Sequence, residues 1–240
     1  MLRERDGEEA DGLKWMLDVL PGTRVAENVG RVLDCYRDFK GELEAFRLGT
    51  EIGCPEGCGS CCEVTDPDVT QAEAEFLAVY LIYTGRPPLG LAEPFHGGCI
   101  FYDPASPLHC TVYEARPFLC RSFAFSSVRD KTGEAIFRSC RHMPAPFPRL
   151  LNRIGMEEHF RTPPPSMTDF GARISALSAE SEERIPLSQA LPKALSRIWL
   201  LKRLSEDDRG PDDTNPGDLP DGDGNDRPPE LSPRGNKRAA

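Results

Sequence analysis

Eight cysteines fall between Cys54 and Cys140, and no other feature of the chain limits so strongly what it can fold into. Over that interval cysteine reaches about 9% of the residues, a density at which sulfur chemistry organises a small fold. The ninth cysteine, Cys35, stands apart. How the block is read depends on compartment. Met1 to Asp11 holds five acidic side chains and no apolar run, so no secretory leader is expected and a cytoplasmic location is the default. Thiols are kept reduced there, which turns a dense cysteine block from disulfides towards metal binding or catalysis.

The spacing supports metal. Cys54-Pro-Glu-Gly-Cys58-Gly-Ser-Cys61-Cys62 places thiols in a loop that Gly57, Gly59 and Ser60 make pliable, so several sulfurs can turn towards one ion. Cys99, Cys110, Cys120 and Cys140 supply the remaining thiols, and eight sulfurs suffice for two four-coordinate centres. Consecutive side chains diverge, so the adjacent Cys61 and Cys62 are expected to serve different metals or bridge two, or one of them to remain a free thiol. Arg116, Arg121 and Arg141 lie close to the later cysteines. They either stabilise thiolates by their charge or pair with Glu114 and other surface acids.

Cys58-x-x-Cys61-Cys62 preceded by Cys54, then Cys99, then Cys110-x-x-Tyr113-x-x-Arg116-Pro117-x-x-Cys120-Arg121-x-Phe123, resembles the YkgJ-type cysteine-cluster proteins, described as a zinc- or iron-chelating domain. The resemblance spans about Gly53 to Cys140. It implies a metal ion or iron–sulfur centre. Some members are called iron–sulfur oxidoreductases, and a related family methylates flagellin lysines, so a redox or methyltransferase-like enzyme using the same centre is the alternative to a chelating protein. Zinc, iron and a 4Fe–4S cluster all suit soft thiolates, and spacing does not separate them.

Other chemistries lack support. Cys54-x3-Cys58-x2-Cys61 has radical S-adenosylmethionine spacing, but no alternation of strands and helices follows it. His96, His109 and His142 lie near cysteines in sequence, which alone makes neither a catalytic pair nor a ligand set. No phosphate loop, His-Glu-x-x-His or Gly-x-Ser-x-Gly occurs. Asp221 to Ser232 imitates a calcium loop, yet Asp226 and Ser232 occupy the positions that need Gly and Glu. A net charge of -10 disfavours nucleic acid, and no apolar run is long enough for a membrane span.

Periodicity supplies the frame. A short helix is expected over Leu13 to Leu20, which includes Trp15 and Met16. A longer one carries Val25, Val29, Val32, Tyr36, Phe39, Leu43 and Phe46 and ends near Gly49, with Cys35 as a core thiol. Thr70 and Glu73 form a capping box for an amphipathic helix ending near Thr84. Phe123 to Val128 and Ala135 to Arg138 are expected to pair as a hairpin across Asp130 to Gly133, with Pro144, Pro146 and Pro148 closing the region. A helix follows over Thr168 to Ala179, and another starts at Pro192 with Leu195, Ile198, Trp199 and Leu201 on its apolar face. The expected fold is mainly α with short β-hairpins, an irregular α+β architecture. Residues 1–204 would form one cysteine-cluster domain, with the motif at 53–142 and helical flanks at 12–49 and 167–204. Residues 205–240, with six prolines, five glycines and ten acidic residues, are expected to be a disordered tail. The apolar pattern between Cys99 and Cys140 is fragmentary, so stripping the metal is expected to unfold that segment.

Overall fold

The structure is a computed structural model and describes residues 17, 20–50, 52–54, 58–85, 98–106, 108–143, 148–178 and 183–207. The expected helix at 13–20 and the tail beyond Asp207 fall largely outside these residues. The architecture is mixed α+β, with helices around small antiparallel sheets. No helix of the described residues is long and apolar enough to cross a membrane.

Helix α1, Arg24–Arg47, begins where the Thr23 hydroxyl accepts the Ala26 N–H at 3.2 Å. Its apolar stripe is the expected one, but it serves two cores. Val25, Val29, Val32, Tyr36 and Phe39 enter the larger core, whereas Phe46, two turns on, enters a smaller one. Cys35 is buried in the larger core, and desolvation raises its thiol pKa. A five-residue helix, α2 (Ser60–Val64), and a two-residue strand, β1 (Asp68–Val69), lead to α3, Gln71–Thr84.

The Thr70–Glu73 capping box is formed, and Gly85 closes α3 in the left-handed conformation at φ +60°. The expected amphipathic pattern is not seen. Every residue from Ala72 to Leu81 is buried, because α1 packs on one side of α3 and the last helix on another. A helix covered all round cannot show a polar face. Glu73 and Glu75 are therefore carried into the interior.

Helix α4, Phe118–Ser122, precedes a three-stranded antiparallel sheet of β2 (Ser127–Arg129), β3 (Ala135–Arg138) and β4 (Leu150–Asn152). The hairpin turns where expected. Asp130 Oδ1 accepts from Thr132 N, Thr132 Oγ1 and Glu134 N at 2.7–3.0 Å, and Gly133 takes φ +86°. Phe123 to Ser126 form a turn instead of strand, with Ala124 at φ +64°. The third strand was not expected, because three residues are too few for a visible alternation. Its Leu151 joins Phe46, Phe137 and Phe160 in the smaller core, where Phe160 meets the other two rings edge-on at 4.9 and 5.3 Å.

After α5 (Arg153–His159) comes α6, Met167–Ser175, somewhat shorter than expected, and its Arg173 pairs with Asp38 of α1 at 2.6 Å. Strand β5 (Ile185–Pro186) pairs with β1 and runs into α7, Leu187–Asp207. The expected start of this last helix at Pro192 is corrected by five residues. Proline within a helix forfeits one backbone bond, but the turn before it is held from outside: Leu187 N donates to Pro67 O at 2.9 Å, and Ser188 N and Oγ donate to Asp66 at 3.3 and 2.6 Å. The earlier start also rotates the buried face. Leu187, Ala190, Leu191, Ala194 and Ile198 are buried, whereas Trp199 is 48% exposed.

Candidate metal centre

The eight cysteines are carried by four short pieces that the helices hold together. Cys54 is exposed in extended chain just after buried Ile52. Gly59 caps α2, its carbonyl accepting Cys62 N at 2.9 Å and Glu63 N at 3.1 Å, so Cys61 and Cys62 leave the first turn side by side with their sulfurs 3.9 Å apart. Cys99 donates its N–H to Cys62 O at 2.9 Å. That approach needs the glycine before it: a Cβ on Gly98 would collide with the Glu63 carbonyl oxygen and lie 2.7 Å from Cys62 O. The chain then doubles back. Tyr102 bridges to Cys110, and Thr111 N donates to Phe101 O at 3.1 Å, which returns Cys110 towards Cys99.

Cys120 sits in the first turn of α4, donating to Pro117 O at 3.0 Å. That helix is anchored at Phe118 N, which donates to Glu73 Oε1 at 2.7 Å. Cys140 follows β3, with its carbonyl accepting from Arg149 at 2.6 Å and its sulfur from His142 N at 3.4 Å.

Electrostatics shows which thiols share a neighbourhood. Cys54 feels the charges of Cys58, Cys61 and Cys140, whereas Cys62 feels Cys61, Cys110 and Cys120. Cys99, Cys110 and Cys120 form a mutually interacting group that also feels Cys61. The thiols thus fall into an earlier and a later neighbourhood, with the Cys61–Cys62 pair between them. Among the described residues, no three of His, Cys, Asp or Glu are gathered closely enough to hold an ion as they stand. The donor chemistry suits a soft or borderline metal, and Gly59 and Gly98 allow the close approach of the segments that carry the thiols.

The Cys62 thiol, hydrogen-bonded to Cys61, pulls the pKa of Cys61 down to about 6, and Cys62 itself is raised by holding that proton and by burial. Burial pushes Cys99 and Cys120 up to about 12. In metal-free protein, alkylation by iodoacetamide should therefore titrate with a midpoint near 6 at Cys61 and be slowest at Cys62, Cys99 and Cys120. Peptide mass mapping against pH checks this. A Cys61 midpoint at the ordinary thiol value of about 8.5 would show that the Cys62 hydrogen bond is absent.

The three arginines separate. Arg116 is the one whose charge lowers thiol pKa values, at Cys61, Cys110 and Cys120, while its guanidinium lies 3.5 Å from the Tyr113 ring centroid. Arg121 is turned inward, stacked 4.3 Å over Tyr36 and donating to the carbonyls of Arg116 and Glu114. Arg141 donates to His142 Nε2 at 3.1 Å. Arg121 feels the charge of Cys120 as well as bracing backbone, and it does not pair with a surface carboxylate among the described residues. His96 lies outside the described residues.

Sequence reading missed the support beneath this site. Glu73 has no exposed side-chain surface and accepts from Thr70 N, Thr70 Oγ1, Tyr36 OH, Phe118 N and Arg184 Nη1 at 2.7–3.2 Å. Its capping-box position was visible in the sequence, but the partners on three other segments were not.

No curated protein and no solved structure matches the chain. A family model does match residues 53–141, the interval that carries all eight clustered cysteines. The model is that of the CxxCxxCC family, described as a zinc- or iron-chelating domain, and the match covers somewhat over a third of the chain.

Proposed function

We propose that this protein binds zinc or iron through the thiolates of Cys54, Cys58, Cys61, Cys62, Cys99, Cys110, Cys120 and Cys140, divided into two sets between Cys61 and Cys62. The observation that carries this reading is the bond from Cys99 N–H to Cys62 O at 2.9 Å, which ties the backbone of Cys62 to the later cysteines, while Cys61 lies between the groups, in the field of Cys54 and also of Cys99, Cys110 and Cys120. One set is then Cys54, Cys58, Cys61 and Cys140, and the other Cys62, Cys99, Cys110 and Cys120. Bound metal would keep the thiols deprotonated and stabilise the loops that carry them. All of these thiols are soft donors, and the charge of Arg116 favours the thiolate form of Cys61, Cys110 and Cys120.

Elemental analysis and the absorption spectrum of anaerobically purified protein test the reading. Two metal equivalents are expected for mononuclear centres, and iron with inorganic sulfide would identify clusters. Cys62→Ser should remove the later centre and retain the earlier one. Protein that takes up no metal after reduction and reconstitution would refute the proposal, and unchanged stoichiometry in Cys62→Ser would refute the division.

A further inference from the structure

His109 has no role in the sites described so far, yet three independent features converge on it. Its backbone is left-handed at φ +50°, a conformation uncommon for a non-glycine residue though one that histidine adopts more readily than most. Its side chain fills the space beside Gly59, where a Cβ would lie 2.6 Å from His109 Cβ and 2.8 Å from Cγ, and its ring lies 6.0 Å from that of Tyr102. Gly59 stands between Cys58 and Cys61, so the imidazole is lodged against the loop that carries the earlier thiols. Finally, Nδ1 is buried and has no hydrogen-bond partner. A histidine that serves only to fill space ordinarily satisfies a buried ring nitrogen with a carbonyl or hydroxyl.

The geometry points to His109 as a nitrogen ligand, through Nδ1, of the metal held beside Cys58 and Cys61. This rests on the metal-binding reading above and makes that centre a mixed nitrogen–thiolate one. Neutral imidazole is a common metal ligand, and zinc accepts nitrogen and sulfur together. Charge favours the mixture. Imidazole in place of one of the four thiolates assigned to this set above changes the net charge around a divalent ion from -2 to -1, next to a second thiolate set and with the charge of Arg116 reaching Cys61.

Cobalt(II) is the probe, added to the reduced full-length chain. Wild type should show thiolate-to-cobalt charge transfer together with d–d bands of a mixed nitrogen–sulfur field. His109→Gly, in which glycine readily adopts the observed φ, should shift the d–d bands and weaken cobalt retention against a chelator by about 10-fold or more. Added imidazole should restore both, which repair of a packing defect elsewhere would not do. His109→Asn, also tolerant of the left-handed backbone, should reproduce the loss. Cobalt spectra and retention in both variants that equal wild type would overturn the assignment while leaving metal binding intact. A wild type without charge transfer would overturn the metal-binding reading itself.

Discussion

Replacing Glu73 with alanine is expected to lower the unfolding free energy by about 3–5 kcal/mol, the range found when one partner of a buried ion pair is removed. The carboxylate has no exposed surface and receives Arg184 at 3.1 Å, so the truncation strands a guanidinium that is itself only about a quarter exposed. Tyr36 OH, Phe118 N and Thr70 N lose their acceptor as well. Buried donors without partners are the costly half of a deleted hydrogen bond. Against a typical total of about 5–15 kcal/mol, a loss of this size leaves little margin. Urea denaturation should show a lower midpoint with an unchanged slope, and Glu73→Gln, which keeps an acceptor but not the charge, should fall between the two. A change below about 1 kcal/mol for alanine would mean that the network contributes little beyond an ordinary surface pair. Because Phe118 N anchors the helix that carries Cys120, the alanine variant should also hold metal less tightly than wild type at temperatures where both are folded.

Gly98→Ala is expected to separate Cys99 from Cys62 and to abolish binding at the later set. The added methyl would collide with the Glu63 carbonyl oxygen and lie 2.5 Å from the Glu63 carbonyl carbon and 2.7 Å from Cys62 O. These are backbone atoms of α2, which no side-chain rotation can clear. The chain must retreat, and the 2.9 Å bond from Cys99 N to Cys62 O breaks with it. Overpacking of this kind costs about 1–3 kcal/mol in stability, but the larger effect should fall on the metal, since the Cys99 thiol proposed as a ligand is displaced. Gly53→Ala is the control: nothing lies within 4 Å of the added carbon, and binding should match wild type. Equal metal content and chelator resistance in Gly98→Ala and wild type would show that the Cys62–Cys99 apposition is not required.

The expectation that metal alone organises Cys99 to Cys140 is narrowed by the same structure. Ile100, Phe101, Val112, Ala115 and Phe118 of that segment join the larger core, and Ala124, Phe125 and Phe137 join the smaller one. Burial of that kind stabilises by about 1.5–3 kcal/mol per large side chain. Chelation should therefore open the loops around Cys61 and Cys110 while leaving the sheet protected from amide exchange.

Local signals were legible where the physics is local. The α1 stripe, the Thr70–Glu73 box and the turn at Asp130 to Gly133 depend on residues within a few positions of one another, and each is found where spacing indicated. The motif that the family model matches at residues 53–141 was equally visible, because it is defined by cysteines at set intervals. The misread features depend on distant partners. Helix α3 reads as amphipathic from its own residues and is buried because α1 and α7 flank it. Pro192 looked like a helix start, but Asp66 and Pro67, more than a hundred residues away, hold the turn that precedes it. Sequence by itself determined that eight thiols would dominate the middle of the chain and which local elements would surround them. Only the tertiary structure decided that Glu73 and Arg121 brace the fold, that the charge of Arg116 reaches three of the thiols, and that Gly98 lets Cys99 reach Cys62. Close approach and desolvation are set by segments that meet only after folding, and no spacing along the chain encodes them.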